Sequence, residues 1–383
     1  MENLPELFLA GLLLIVFFSL SFISQKFNIP SVLVFIILGL ALVPILAGNE
    51  TIHLLAEIGI VLMFFVLGLE FPIAKILRIA KTIWAAGIMD VVFNFGGAFA
   101  LALIFKLDFL SAAIIGGIVY ASSSSITAKL LEENKRLANV ETEFMLALLI
   151  FEDLVSPILI SFLVALNSDQ DLSVGLTVLI LAKVIALTLG AVVIGHFGFS
   201  KLKDFIDNYI ESDFLTFLMV GVAFLYSGLA MYIGLSEILG AFLAGVMLSE
   251  TGNSSELEHL LLPIRDIVLP FFFLWFGTTI SFGGGVPMLP LLIILVVWSV
   301  VGKILVGVWG GKAFGLSKRP SYRAGLSLIQ RGEFSVIIAS IALPQLMAFS
   351  SIYIIASAFV GVIFFQKAPA LSKWIAGKQK KNA

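Results

Sequence analysis

Apolar positions in this chain run in long, nearly unbroken stretches, without the alternating or heptad rhythm of a soluble strand or helix. A helix crossing a bilayer core needs about 20 apolar residues. Stretches of that kind lie near 6–24, 30–47, 52–71, 82–105, 109–129, 143–166, 173–198, 213–233, 236–249, 263–281, 286–311, 322–342 and 348–366. They predict an all-α polytopic membrane protein with 13 transmembrane helices and no soluble domain between or after them. Glu2 and Glu6, with no flanking Lys or Arg, make the first stretch a retained helix and not a cleaved leader.

Composition points the same way. Residues are 60% hydrophobic and 13% charged, and mean hydropathy is +1.12, whereas soluble domains carry about 25% charged residues. A net charge of -2 offers no basic footprint for nucleic acid. Cysteine is absent, which excludes disulfides, Fe–S clusters and cysteine nucleophiles. His53, His196 and His259 are isolated, so no metal cofactor is expected. Nineteen of the 23 Lys and Arg residues fall in loops or tail on one side of this topology, and Lys106 alone falls on the other. Positive loops mark the cytoplasm. The expected orientation in the plasma membrane is therefore N-terminus outside and C-terminus inside.

The second span, PSVLVFIILGLAL, resembles the ninth, LSEILGAFLAGVML, and the third resembles the tenth. Gly39 precedes Gly245 by 206 residues and Gly68 precedes Gly277 by 209. Seven spans separate the copies, so matching helices run oppositely, as in the inverted repeats of secondary transporters. The fifth and twelfth spans should then correspond, as should the fourth and eleventh. The binding site should lie where paired helices are interrupted near mid-membrane.

Polar residues inside the spans mark that place. The fifth span holds Ser122, Ser123, Ser124 and Ser125 in succession. Serine hydroxyls compete for backbone hydrogen bonds, so this run predicts an interruption. The twelfth span holds Gln330, Arg331, Gly332 and Glu333, either an intramembrane ion pair or part of the site. The sixth holds Glu152 and Asp153, which project about 100° apart on a helix. Pro157 removes the helical partner of the Asp153 carbonyl, four residues earlier. Asp153 can thus offer a carboxylate and a carbonyl oxygen to a hard alkali cation, or take a proton instead. Competition of the two at one site is what an antiporter requires. Lys303, in the eleventh span, is the expected partner for the buried acids. Asp90 and Asn94, one turn apart in the fourth, read as polar groups behind the site. Glu57, Glu70 and Glu237 read as interfacial, Lys183 as snorkelling, and the run from Glu132 to Glu143 as a solvated face.

GLSEILGAFLAGVMLSE (234–250), ELEHLLLPIRDIVLPFFFLWFGTTISF (256–282), LLIFEDLVSPIL (148–159) and SLIQRGEFSVIIA (327–339) together resemble the monovalent cation:proton antiporter superfamily, most closely its Kef-type potassium/proton branch. The resemblance implies a 13-helix homodimer with an inverted-repeat fold. Residues 1–81 and 213–281 would form the dimerisation scaffold, 173–198 a linker helix, and 82–166 and 286–366 an ion-translocating core with two broken, crossing helices. It implies exchange of K⁺, or of Na⁺, for H⁺ by elevator-like movement of the core. Asp153 falls on the family's ion-binding aspartate, Glu152 on the position before it and Lys303 on its lysine. Kef-type pairs are usually Gln-Asp and electrogenic sodium exchangers have Asp-Asp, so Glu-Asp leaves ion and stoichiometry open. Kef-type chains usually end in a nucleotide-binding domain. This chain ends near Lys378 to Lys381, leaving a separate cytoplasmic regulatory subunit or a longer parent chain. A cation channel on the same scaffold is the alternative. An intramembrane hydrolase finds no histidine beside the serine run.

Overall fold

The structure is a computed structural model that describes residues 6–26, 31–168, 174–199, 212–252, 254–280 and 288–375. All the regular elements among them are helical. Nine of these helices are long and apolar enough to cross a membrane, and Ser31–Ala41, Phe109–Tyr120 and Glu237–Ser249 are shorter apolar helices. The chain divides into two compact units, Met1–Pro72 with Ile185–Ile280 and Ile73–Val184 with Ser281–Ala383. The helix Val174–Val193 runs from one unit into the other.

In the first unit, Glu50–Leu69 packs against Glu237–Ser249 and Ser254–Thr279, and Ser31–Ala41 packs against the latter. Side chains do not separate these helices at their crossings. A Cβ on Gly39 would lie 2.0 Å from the Leu274 carbonyl oxygen, and one on Gly277 would lie 2.2 Å from that of Ile36. Gly68 and Gly245 repeat the contact, each 2.1 Å from a carbonyl of the facing helix. Only glycine permits backbones this close. Asn49 and Ser236 cap two of the helices, their side chains accepting from the Ile52 and Ile238 N–H groups. The helix Glu6–Lys26 exposes Leu7, Phe8, Ile15, Phe18 and Phe22, an apolar surface suited to lipid and costly in water.

The second unit contains two interrupted helices. Phe109–Tyr120 ends at Ala121, whose ψ of 136° is extended, and the helix resumes over Ser124–Glu133. Lys318–Leu326 and Glu333–Ser340 are separated by residues 327–332. Between and around them run Val140–Ser168, which carries Pro157 internally, and Pro344–Ile375. Ile73–Asp90 passes through a π-wound turn, Val91–Gly96, into Gly97–Ile104. Leu289–Leu305 likewise passes through Val306–Gly310. The last helix reaches Ile375, beyond the apolar stretch ending near 366, because Ala, Leu and Lys sustain helix after hydropathy falls.

Candidate functional site

The two interruptions are tied to each other. The Ser123 N–H donates to the Gln330 carbonyl at 2.9 Å, across the two breaks. The Ser122 hydroxyl donates to the Leu328 carbonyl at 2.8 Å, and the Ser123 hydroxyl to Glu333 at 2.9 Å. Gln330 donates through Nε2 to Thr127 and to the Ser327 carbonyl. Ser335 donates to the Ile118 carbonyl near the end of the first half-helix, 2.7 Å away. Irregular backbone inside a membrane must find partners within the protein, and the serine run supplies them. Gly332 is needed here, because a Cβ would lie 2.4 Å from the Ser123 hydroxyl.

Behind this crossing lies a charged cluster. Glu152 accepts from the Ser122 N–H through one carboxylate oxygen and from Lys303, 2.9 Å away, through the other. Lys303 also donates to Asp90 Oδ1 at 2.7 Å, and Asn94 donates to that same oxygen at 2.7 Å. Glu152, Lys303 and Asp90 all have 0% exposure. The Arg331 guanidinium, equally buried, reaches the Ser122 hydroxyl, the Leu328 carbonyl and Asn94 Oδ1, each at 3.4 Å. Arg331 and Glu333, readable as a local ion pair from sequence, thus engage different groups of the crossing.

Asp153 turns another way. Its two oxygens lie 2.8 and 2.9 Å from the Ser124 hydroxyl, which donates to it. The π-wound turn after Asp90 brings Asn94 onto the same cluster, a placement seen often at functional sites. Glu152, Lys303, Asp90, Asn94 and Arg331 are joined with Ser122 in one network, Ser123, Gln330 and Glu333 are joined across the two breaks, and Asp153 with Ser124 forms a further contact beside them, all within the second unit. The Ser125 side chain lies outside the described residues. Ser122, which opens the serine run, and Thr127 also take part in these contacts. Tyr120, at the end of the first half-helix, carries no signal in the sequence, because a tyrosine in an apolar span looks like packing. Its buried hydroxyl has no hydrogen-bond partner among the described residues.

The arrangement supplies a carboxylate and a hydroxyl facing each other, and at the crossing the Gln330 Oε1 atom is buried and without a partner among the described residues. Oxygen ligands of this kind suit hard monovalent cations, and a carboxylate can take a proton in their place.

The sequence aligns over residues 12–368 with the family model described as sodium/hydrogen exchanger, transmembrane. The chain belongs to this family. The exchanger is 51% identical over 380 residues to the ammonium/H⁺ antiporter subunit AmhT of Alkalihalophilus pseudofirmus, covering 99% of this chain and 97% of that one. It is 29% identical over 363 residues to the K⁺/H⁺ antiporter subunit KhtU of Bacillus subtilis, covering 89% and 88%. In fold it matches the sodium proton antiporter MjNhaP1 of Methanocaldococcus jannaschii, with a TM-score of 0.70, 16% identity and coverage of 98% and 100%. The exchanger is therefore a multi-pass membrane antiporter and not an enzyme.

One sequence expectation is corrected. The run from Glu132 to Glu143 is not simply a solvated face, because Arg136 is 5% and Glu141 0% exposed; the Glu132 and Glu133 side chains lie outside the described residues. Glu141 accepts from Arg136 at 3.1 Å through one oxygen and from Arg323 through the other. Arg136 also donates to the Ser327 hydroxyl at 3.0 Å and the Phe365 carbonyl at 3.2 Å, and lies 4.4 Å from the Phe365 ring centre. Mixed charge in a loop usually means solvation, but here Arg323 from a distant segment neutralises Glu141.

Proposed function

We propose that this chain exchanges a K⁺-sized monovalent cation, K⁺ or ammonium, for H⁺ at Asp153. The observation that carries the proposal is the placement of Asp153: buried at a helix interruption, faced by the Ser124 hydroxyl, and one residue from the Glu152–Lys303 pair. A carboxylate there binds a proton or a cation, and release of one admits the other. Glu152 is the acid that holds Lys303, while Ser123, Gln330, Arg331 and Glu333 hold the interruption open. The names of AmhT and KhtU favour ammonium or K⁺ over Na⁺. Both are named as subunits, which supports a separate regulatory partner for this chain as well.

In this reading the second unit carries the ion by an elevator-like movement, and the first is the stationary scaffold of a homodimer in the plasma membrane. The glycine contacts support an inverted repeat of 13 spans. The repeat maps Gly39 onto Gly245 and Gly68 onto Gly277, which exchanges the Gly39–Gly277 contact with the Gly245–Gly68 contact. In the second unit, Gly116 packs on the Phe95 carbonyl and Gly325 against Ile304, both residues displaced by 209 positions.

The test is cation-driven dissipation of a pH gradient in proteoliposomes, with K⁺, Na⁺ and ammonium compared. Protein-free vesicles provide the ammonium baseline, since neutral ammonia crosses lipid unaided. Wild type should dissipate the gradient with K⁺ or ammonium, and Asp153→Asn should not. Unchanged exchange in Asp153→Asn would remove Asp153 from the mechanism.

A further inference from the structure

The Asp90–Lys303–Glu152 cluster contains two carboxyl groups for one ammonium, all fully buried. The two acids are solvated differently. Both oxygens of Glu152 have donors, the Ser122 N–H on one and Lys303 on the other, as an ionised carboxylate requires. Asp90 receives Lys303 and Asn94 on Oδ1 alone, and Oδ2 is buried with no partner among the described residues. An ionised carboxylate spreads its charge over both oxygens, so a bare one away from water carries a large desolvation penalty. A protonated acid costs less here, because a neutral hydroxyl without an acceptor is a smaller penalty than a bare anionic oxygen. Its carbonyl oxygen has two lone pairs for two donors, and its hydroxyl lies on Oδ2.

From this geometry we infer that Asp90 is a second proton-binding carboxyl of the exchanger, carrying its proton on Oδ2 while the cation site is empty. Protonation makes the directly bonded Asp90–Lys303–Glu152 trio neutral, and loss of the proton leaves that trio with one excess negative charge facing the Arg331 guanidinium. The charges facing Asp90 from neighbouring elements are those of Lys303, Glu152 and Arg331, and the Tyr120 hydroxyl lies within electrostatic reach. A cation arriving at Asp153 lies one residue from Glu152 and adds positive charge to this low-dielectric cluster. That charge favours the ionised form of Asp90. The proton leaves Oδ2 as the cation binds, and a proton returns when the cation departs. Two protons, one from Asp153 and one from Asp90, then oppose each cation. The inference rests on the Asp153 reading above, and the experiment separates the two.

The apparent cation affinity is measured against pH in proteoliposomes containing the full chain. Each proton displaced per cation contributes a tenfold change in apparent affinity per pH unit where it titrates. Wild type should lose affinity on acidification by up to about 100-fold per unit, and Asp90→Asn by about tenfold. Asp90→Glu should restore the steeper dependence. A wild-type dependence of only tenfold, left unchanged in Asp90→Asn, overturns the inference and leaves Asp153 in place. Unchanged exchange in Asp153→Asn overturns the Asp153 reading itself. Should Asp90→Asn fail to fold, infrared spectroscopy on Asp153→Asn protein supplies the second measurement. Raising the pH should remove a protonated-carboxyl C=O band that moves in the Asp90→Glu, Asp153→Asn double variant. A titration in which no such band responds to Asp90→Glu overturns the inference.

Discussion

Glu152 and Asp153 are adjacent carboxylic acids, both buried, yet they stand in different chemistry because a helix turns them about 100° apart. Glu152 is saturated by the Ser122 N–H and Lys303, while Asp153 faces a hydroxyl that can rotate to serve a cation or a proton. Glu152 therefore holds Lys303 and the first break in place. Removing Lys303 leaves two buried acids without their shared cation, and breaking a buried pair from one side costs about 3–5 kcal/mol. Lys303→Ala should lower the thermal midpoint in detergent markedly, whereas Asp153→Asn should shift it little and abolish exchange. Equal midpoints for wild type and Lys303→Ala would show that Lys303 does not hold the cluster together.

At the scale of elements, the breaks in the two interrupted helices have opposite origins. Four consecutive serines weaken the first locally, and that was legible from residues 122–125. The second is legible only in part: Gly332 and two charges mark it, but its extent over residues 327–332 follows from partners far away in sequence. The same limit hid the Arg136–Glu141–Arg323 cluster, because no local pattern announces that Arg323 meets Glu141 across 182 residues. That cluster ties Ser327, the first residue of the second break, to the loop after the first interrupted helix. Hydrogen bonds to charged groups are each worth about 1.5–3 kcal/mol. Arg136→Ala should therefore destabilise the protein by a few kcal/mol, measurable as reduced thermal stability with Asp153 intact. A change within error would show that Arg323 alone suffices to neutralise Glu141. Hydropathy located the long spans well, and it failed at their ends, where the last helix runs on to Ile375 through Lys367 and Lys373.

At the scale of the whole molecule, the candidate site lies within one of the two units, assembled from residues 90–153 and 303–333. Transport by movement of that unit needs no rearrangement of the bonds joining the two breaks. The charge asymmetry of the loops makes an independent claim about orientation. A reporter fused after Ala383 should be active only on the cytoplasmic side, and one fused at Met1 only outside. Both reporters on one side would require an even number of crossings and a revised assignment of spans.

The four glycines of the first unit carry a consequence for how the sequence can vary. At Gly39, Gly68, Gly245 and Gly277 even one methyl group would meet a main-chain carbonyl that no rotamer change can move aside. The apolar residues around them can trade Leu for Ile or Met with little loss. A saturation library selected for exchange should therefore be nearly monomorphic at four sites far apart in the chain and permissive on either side of each. Alanine at one member of a contact should not be rescued by any change at the other, since a glycine has no atoms left to give up.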